Sequence, residues 1–194
     1  MKVYAEDAVY HVYNRGVSKQ TIFHEEGDYA YFLGLLKRYL DPEYAMRKPN
    51  RVSYRSFADD VNLLAYCLMP NHFHLLLHQI SRTGMSELLK SVSVSYSMYY
   101  NKKYRHTGAL FQQRYRAVRI IDDSQFAHIS RYIHMNPKNY YDWQWSSLDY
   151  YIGNKHSGWL KTDTLPDVGD YRSFLDEYAD RRDELQQLKD ELAG

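Results

Sequence analysis

Apolar and polar residues follow two different periods along this chain, and the order of those periods predicts its elements. Apolar runs such as 72–79 are typical of strands, whereas apolar residues three or four positions apart, such as Leu36 and Leu40, are typical of helices. The predicted strands span 9–14, 63–69, 72–79 and 115–121, and the predicted helices span 29–40, 85–104 and 123–135. The order is therefore strand, helix, strand, strand, helix, strand, helix.

This order predicts an α+β fold built on a four-stranded antiparallel sheet. One helix before the central pair of strands and another after it is the ferredoxin-like, split βαβ pattern, and we expect the helices on one face of the sheet. Pro137 ends the last helix of this unit, because proline lacks a backbone N–H and its ring clashes with the preceding turn. We expect the aromatic segment that follows, with Trp143 and Trp145, to wrap the core.

The remainder of the chain predicts a C-terminal extension. Residues 171–192 place leucine and aromatic residues on one stripe of an otherwise charged helix. Such a helix packs on its own domain or forms a contact between two copies of the chain, and the sequence leaves both open. We therefore divide the chain into a domain at 1–153 and an extension with a charged amphipathic helix at 154–194.

Composition excludes several classes of protein. The single cysteine, Cys67, cannot form an internal disulfide or a cysteine-type zinc site. No run approaches the roughly 18 apolar residues that span a bilayer, and charged residues stand at the start, where a signal peptide would be apolar. We expect a cytoplasmic protein that has no membrane partner.

Charge is unevenly distributed although the net charge is only +1. Residues 88–121 contain no Asp or Glu, whereas 170–194 are acidic overall. The basic residues of the first stretch are Lys90, Lys102, Lys103, Arg105, Arg114, Arg116 and Arg119. Because the chain also has 21 tyrosines, this stretch suits backbone phosphates and unpaired bases, with a solvated surface as the alternative.

Two histidines stand two positions apart in the predicted third strand. The strand period sends His72 and His74 to the same face, close enough to hold one cation. The spacing alone is weak evidence, since chance gives roughly 0.4 such pairs in a chain with nine histidines. The apolar strand strengthens it, because a buried imidazole is costly unless it is hydrogen-bonded, solvated or bound to a metal. His78 is better explained as a histidine at the strand's edge.

A tyrosine and an asparagine share one flank of the last core helix. Tyr132 and Asn136 are four positions apart, whereas Phe126, Ile129 and Ile133 form the apolar stripe. A tyrosine outside that stripe can face a site. Spacing cannot select it, however, because other tyrosines occur on the preceding helix: Tyr96, Tyr99, Tyr100 and Tyr104.

Five short motifs occur in a fixed order along residues 9–152. They are Tyr10–Gly16 (YHVYNRG), Met69–Leu76 (MPNHFHLL), Leu110–Tyr115 (LFQQRY), Tyr132–Pro137 (YIHMNP), and Trp145-Ser146-Ser147 followed by Tyr150-Tyr151. Together they resemble the HUH-class tyrosine transposases. The resemblance is closest to the branch associated with repetitive extragenic palindromes (REP), among the small insertion-sequence transposases.

The resemblance implies an activity and a site. That family cuts single-stranded DNA at the foot of a hairpin, forming a 5′-phosphotyrosine and freeing a 3′-hydroxyl. Tyr132 matches its nucleophile, His72 and His74 match its metal-binding pair, and Asn136 matches the polar side chain that completes the metal site. One departure is Asn71, where some relatives have an acidic residue.

The implied chemistry also predicts a cofactor and partners. Two imidazoles and an amide leave a divalent cation with its charge and with open positions for phosphate oxygens, so we expect Mg²⁺ or Mn²⁺, with nitrogen ligands favouring Mn²⁺. The expected partner is single-stranded DNA with a hairpin from a palindromic repeat, in the nucleoid, during DNA transposition or recombination. The sequence does not decide between a monomer and a homodimer. The expected DNA-binding residues are Arg15, Lys102, Lys103, Arg105, Arg114, Arg116 and Arg119.

Other functions remain open at this point. The same fold class serves non-catalytic modules that bind single-stranded nucleic acid, although histidines stand here where such modules carry aromatic residues. A structural metalloprotein is disfavoured, because two histidines and an amide make a poor closed site. A domesticated transposase that acts on host repeats would have the same sequence features.

Overall fold

A computed structural model describes residues 4–44 and 54–178. The sheet has four antiparallel strands in the order β2–β3–β1–β4. The strands are β1 (Ala8–Arg15), β2 (Val61–Met69), β3 (His72–Gln79) and β4 (Arg116–Arg119), and the helices are α1 (Glu26–Leu40), α2 (Gly84–Tyr104), α3 (Asp123–His134), α4 (Leu148–Tyr151) and α5 (Tyr171–Asp176). The predicted fold class and the predicted order of the core elements are confirmed.

The two faces of the sheet carry separate apolar cores. α1 and α2 cover one face, where Val12 and Phe73 lie in the same core as Phe32. α3 covers the opposite face, where Leu76 lies with Ile133. The expectation that the helices share one face is therefore wrong for α3. The physical reason is that β2 and β3 carry buried apolar residues on both of their faces, so both faces must be covered.

The ends of α3 fix its position over the sheet. At its start, the Asp122 side chain accepts a hydrogen bond from the backbone N–H of Gln125 at 2.8 Å, which satisfies one of the unpaired donors of the first turn. The helix ends at His134, shortly before Pro137, as predicted. Tyr132 therefore lies in the last turn of α3, and Asn136 is the second residue after the end of the helix.

The segment after α3 covers the outer edge of β2. The backbone N–H of Leu68 donates to the Trp145 carbonyl at 2.9 Å, and that of Lys161 donates to the Leu63 carbonyl at 2.9 Å. The Trp145 ring stacks on Tyr29 with centroids 4.9 Å apart. The predicted wrapping of the core by this aromatic segment is confirmed.

The C-terminal extension is described only in part. The predicted helix over 171–192 begins at Tyr171 as α5, and its part beyond residue 178 lies outside the described residues. Leu160 and Leu175 are buried in the two cores, and the domain boundary at 153 stays a prediction. Within 4–44 and 54–178, no helix has the length and apolar character needed to cross a membrane.

Candidate active site

The two histidines of β3 lie at one end of the sheet, on the face that α3 covers. The pairing of β1 with β3 sets Arg15 opposite His72 and Tyr13 opposite His74. His72 is half-buried and His74 is buried, and their ring centroids are 5.0 Å apart. The strand period has therefore placed both imidazoles side by side, as predicted.

The end of α3 meets the histidines from above the sheet. Asn136 Nδ2 lies 3.5 Å from Nε2 of His74. The ring of Tyr132 stands edge-on to the ring of His74, with centroids 5.3 Å apart. The structure thus brings together the four residues that the sequence singled out for nucleophile and metal ligands, while their roles stay predictions.

The donor set fits a divalent cation. His72 Nδ1 lies 2.6 Å from the Asn71 side-chain oxygen, so Nδ1 carries the proton and Nε2 is the nitrogen able to bind a metal. Rotating the Asn136 amide would turn its oxygen, in place of its nitrogen, toward His74 Nε2. Within the described ranges no three His, Cys, Asp or Glu side chains cluster to hold a metal, so a cation here would take two imidazoles and an amide.

Tyr132 lies in a mixed electrostatic environment. Its burial raises the pKa of the phenol above the ordinary value of 10.0, whereas its hydrogen bond with Asn136 and the charge of Arg15 act in the opposite direction. The phenol is therefore protonated at neutral pH, and any attack by its oxygen requires the loss of that proton.

His11 of β1 also lies in this site, although no pattern in the sequence assigned it a role. It is fully buried, and its Nε2 lies 2.9 Å from Nδ1 of His74. Its ring also stands edge-on to Tyr132, with centroids 5.7 Å apart. The period of β1 places His11 on the same face as Tyr13 and Arg15, but only the pairing of β1 with β3 brings it beside His74.

The predicted DNA-binding residues are divided between two parts of the described structure. Arg15 lies beside the site, and Arg116 of β4 is opposite Tyr13, in the same cross-strand row as His74. The exposed members are Lys102, Lys103 and Arg105 at the end of α2, Arg114 before β4 and Arg119 at the end of β4. A basic surface is thus present, but only part of it borders the site.

Lys103 differs from the other predicted DNA-binding residues. Its ammonium donates hydrogen bonds to the carboxylates of Glu25 and the fully buried Asp28. Tyr99 and Tyr104 donate to the same Asp28 carboxylate. Lys103 therefore neutralises a buried charge between α1 and α2, a contact that the sequence did not indicate.

Comparisons with known proteins identify the fold and the family of this chain. A solved structure of a REP-associated tyrosine transposase bound to a REP hairpin has the same fold, with a TM-score of 0.55 and 14% identity over 88% of this chain and 92% of that chain. A candidate transposase from Deinococcus radiodurans R1 gives a TM-score of only 0.41, at 16% identity over 69% of this chain and 93% of that chain. No curated protein sequence matches the chain. The sequence model of the family described as "Transposase IS200 like" matches residues 38–136, slightly more than half of the chain. The chain therefore belongs to the IS200-like transposase family.

Proposed function

We propose that this transposase nicks and rejoins single-stranded DNA at the foot of a hairpin, with Tyr132 as nucleophile. His72, His74 and Asn136 hold a divalent cation, Mg²⁺ or Mn²⁺. The observation that carries the proposal is the approach of Asn136 Nδ2 to within 3.5 Å of His74 Nε2, although the two residues are 62 positions apart. Family membership supports DNA transposition as the setting.

The reaction is a transesterification at a phosphodiester. The phenolic oxygen of Tyr132 loses its proton and attacks phosphorus, a P–O bond forms to the tyrosine, and the bond to the 3′ oxygen breaks. The 3′ oxygen takes up a proton and leaves as a hydroxyl. Because the phosphotyrosine keeps the energy of the broken bond, a 3′-hydroxyl can attack it later and rejoin strands without ATP.

The surroundings of Tyr132 suit this step. The bound cation would offset the charge that builds on the phosphoryl oxygens. Arg15, directly across from His72, adds a second positive charge there. Tyr132 is only 5% exposed, so the phosphate approaches from the side of the half-buried residues Tyr13 and Arg15 of β1.

The proposed substrate is a DNA hairpin with a single-stranded flank. The REP-associated tyrosine transposase of the same fold is bound to a REP hairpin. We therefore propose a palindromic repeat as the DNA substrate of this chain. A flexible flank is needed because the scissile phosphate must reach a recessed tyrosine. Exposed basic residues hold the backbone: Lys102, Arg105, Arg114 and Arg119. A DNA partner implies a location at the nucleoid, and the proposal holds for a monomer as well as for a homodimer.

The proposal is tested by incubating the purified protein with a labelled, flanked hairpin in Mn²⁺, in Mg²⁺ and in EDTA. We expect cation-dependent cleavage and a covalent protein–DNA adduct by intact mass spectrometry, with no cleavage of the same sequence as a perfect duplex. Equal cutting of duplex and flanked hairpin would contradict the proposed substrate. Binding without cutting in either cation would instead support a non-catalytic module for single-stranded nucleic acid.

A further inference from the structure

We infer that His11 is a positioning residue: it accepts a hydrogen bond from Nδ1–H of His74 and thereby keeps Nε2 of His74 unprotonated and directed at the cation. The inference rests on the proposed function, since it assigns His74 as a ligand. It assigns a residue of β1 to the support of the proposed cation ligands, which come from β3 and from the segment that follows α3.

The backbone pairing holds the two rings together. His11 lies opposite Leu76, and His74 lies opposite Tyr13, so His11 and His74 are diagonal neighbours on the central strand pair. His11 Nε2 and His74 Nδ1 are 2.9 Å apart, and the rings stack with centroids 5.1 Å apart at an interplanar angle of 19°. Because both residues are buried, this contact is shielded from water.

The direction of this hydrogen bond determines what His74 can bind. A neutral imidazole has one protonated nitrogen and one lone pair. If His74 donates through Nδ1–H, its lone pair is on Nε2, the nitrogen that faces Asn136 at 3.5 Å. If His11 donates instead, the proton of His74 moves to Nε2 and blocks a metal there. Metal-bound histidines usually donate their second N–H to a fixed acceptor, which is the role assigned to His11.

The other nitrogen of His11 argues against a purely packing role. His11 Nδ1 is buried and has no hydrogen-bond partner in the described structure. An unsatisfied buried polar atom destabilises the fold, and a leucine would fill this place between Leu76 and Tyr132 without that penalty. What an imidazole supplies here and an apolar side chain does not is the nitrogen that contacts His74.

Two variants of His11 separate hydrogen bonding from packing. His11→Leu fills the volume without an acceptor, and His11→Gln supplies an amide oxygen that can accept from His74. His78→Gln is the matched control, because His78 lies on the same strand as His74 but contacts Asp7, away from the site. The two readouts are the ¹⁵N NMR signals of the His74 ring in metal-free protein and the affinity for Mn²⁺.

We expect wild type and His11→Gln to carry the His74 proton on Nδ1, and His11→Leu to carry it at least partly on Nε2. Mn²⁺ affinity should fall by about 10- to 100-fold in His11→Leu, recover in His11→Gln and be unchanged in His78→Gln.

A His74 proton on Nε2 in wild type, or full Mn²⁺ affinity in a folded His11→Leu protein, would overturn the inference. If His11→Leu does not fold, the His74 tautomer in wild type decides the question, because that measurement needs no variant. If wild type binds no Mn²⁺, the proposed function fails, whereas the tautomer still tests the hydrogen bond between the two histidines.

Discussion

His134 of α3 is joined to Tyr171 of α5 by a hydrogen bond of 2.7 Å between Nδ1 and the phenolic oxygen. Its other ring nitrogen, Nε2, lies 2.7 Å from the Ser147 hydroxyl. Because His134 is fully buried, the pKa of its imidazole is lowered to about 3, and the ring is neutral. The helix that carries Tyr132 is therefore fixed to the C-terminal segment through an uncharged histidine.

Acid should weaken this connection. Unfolded His134 binds a proton near pH 6.5, whereas the folded residue does so only near pH 3, so the unfolded state binds more protons between these values. The stabilisation is complete above pH 6.5 and is lost as the pH falls toward 3. We expect the free energy of unfolding to fall by up to about 1.4 kcal/mol per pH unit from this group, measured by urea unfolding at several pH values.

The control for that measurement compares two variants. In His134→Gln, the contribution of His134 to the pH dependence of the free energy of unfolding should be lost. The contribution of the buried His11, whose pKa is also lowered to about 3, should remain. His156→Gln removes an exposed histidine and should keep the slope of wild type. The same slope in His134→Gln and wild type would show that His134 is not the group that titrates.

Loss of the nucleophile and loss of a cation ligand should have different effects on Mn²⁺ affinity, although both should abolish cleavage. Tyr132→Phe removes one oxygen and keeps the ring, so we expect wild-type affinity for Mn²⁺ but no adduct and no cleavage. His72→Ala should lose cleavage through its cation, with an Mn²⁺ affinity at least about tenfold weaker. Electron paramagnetic resonance of free Mn²⁺ in a titration measures both affinities. Equal affinity of His72→Ala and wild type would remove His72 from the ligand set.

The charge and the donor atom of the side chain at position 136 should determine the affinity for Mn²⁺. Asn136→Asp keeps an oxygen and adds a negative charge, which hard divalent cations prefer, so it should bind Mn²⁺ at least as tightly as wild type. Asn136→Ala has no donor atom at this place and should bind it more weakly. The same titration provides the test, and an alanine variant with wild-type affinity would assign Asn136 to positioning of Tyr132 alone.

Two adjacent lysines should have different roles. Lys103→Met leaves the buried Asp28 short of a charged donor, so the free energy of unfolding should fall by about 2 kcal/mol. Lys102→Met changes an exposed side chain, so stability should persist while the salt dependence of single-stranded DNA binding weakens by about 0.7 in log–log slope. Urea unfolding and binding at several salt concentrations check the pair. If Lys103→Met were as stable as wild type and showed a weaker salt dependence of DNA binding, Lys103 would be assigned to DNA binding instead.

Much of this site was predictable because local periods determine it. The strand period set His72 and His74 on one face. The spacing of four positions indicated that Asn136 lies near Tyr132, although α3 ends at His134 and Asn136 follows it outside the helix. That α3 covers the face with the histidines follows only from burial of both faces of β2 and β3. The pairing of His11 with His74 depends on strand register, which one strand's sequence does not encode.

The roles of other residues depended on tertiary contacts. A charge count assigned Lys103 to DNA, whereas the packing of α1 on α2 brings it to Asp28. Similarly, the motif around Tyr132 contains His134, but its contact with Tyr171 forms only when the C-terminal segment folds back on α3.

The central claim, that Tyr132 is the nucleophile, is tested most directly by locating the DNA on the protein. The adduct formed with a flanked hairpin is digested with protease and nuclease, and tandem mass spectrometry identifies the residue that carries the nucleotide. We predict a phosphodiester on Tyr132, persisting when other tyrosines are changed singly to Phe: Tyr96, Tyr99, Tyr100 and Tyr104. A nucleotide on one of those four would contradict the assignment of Tyr132, and cation-dependent cutting with no labelled tyrosine would show that water is the nucleophile.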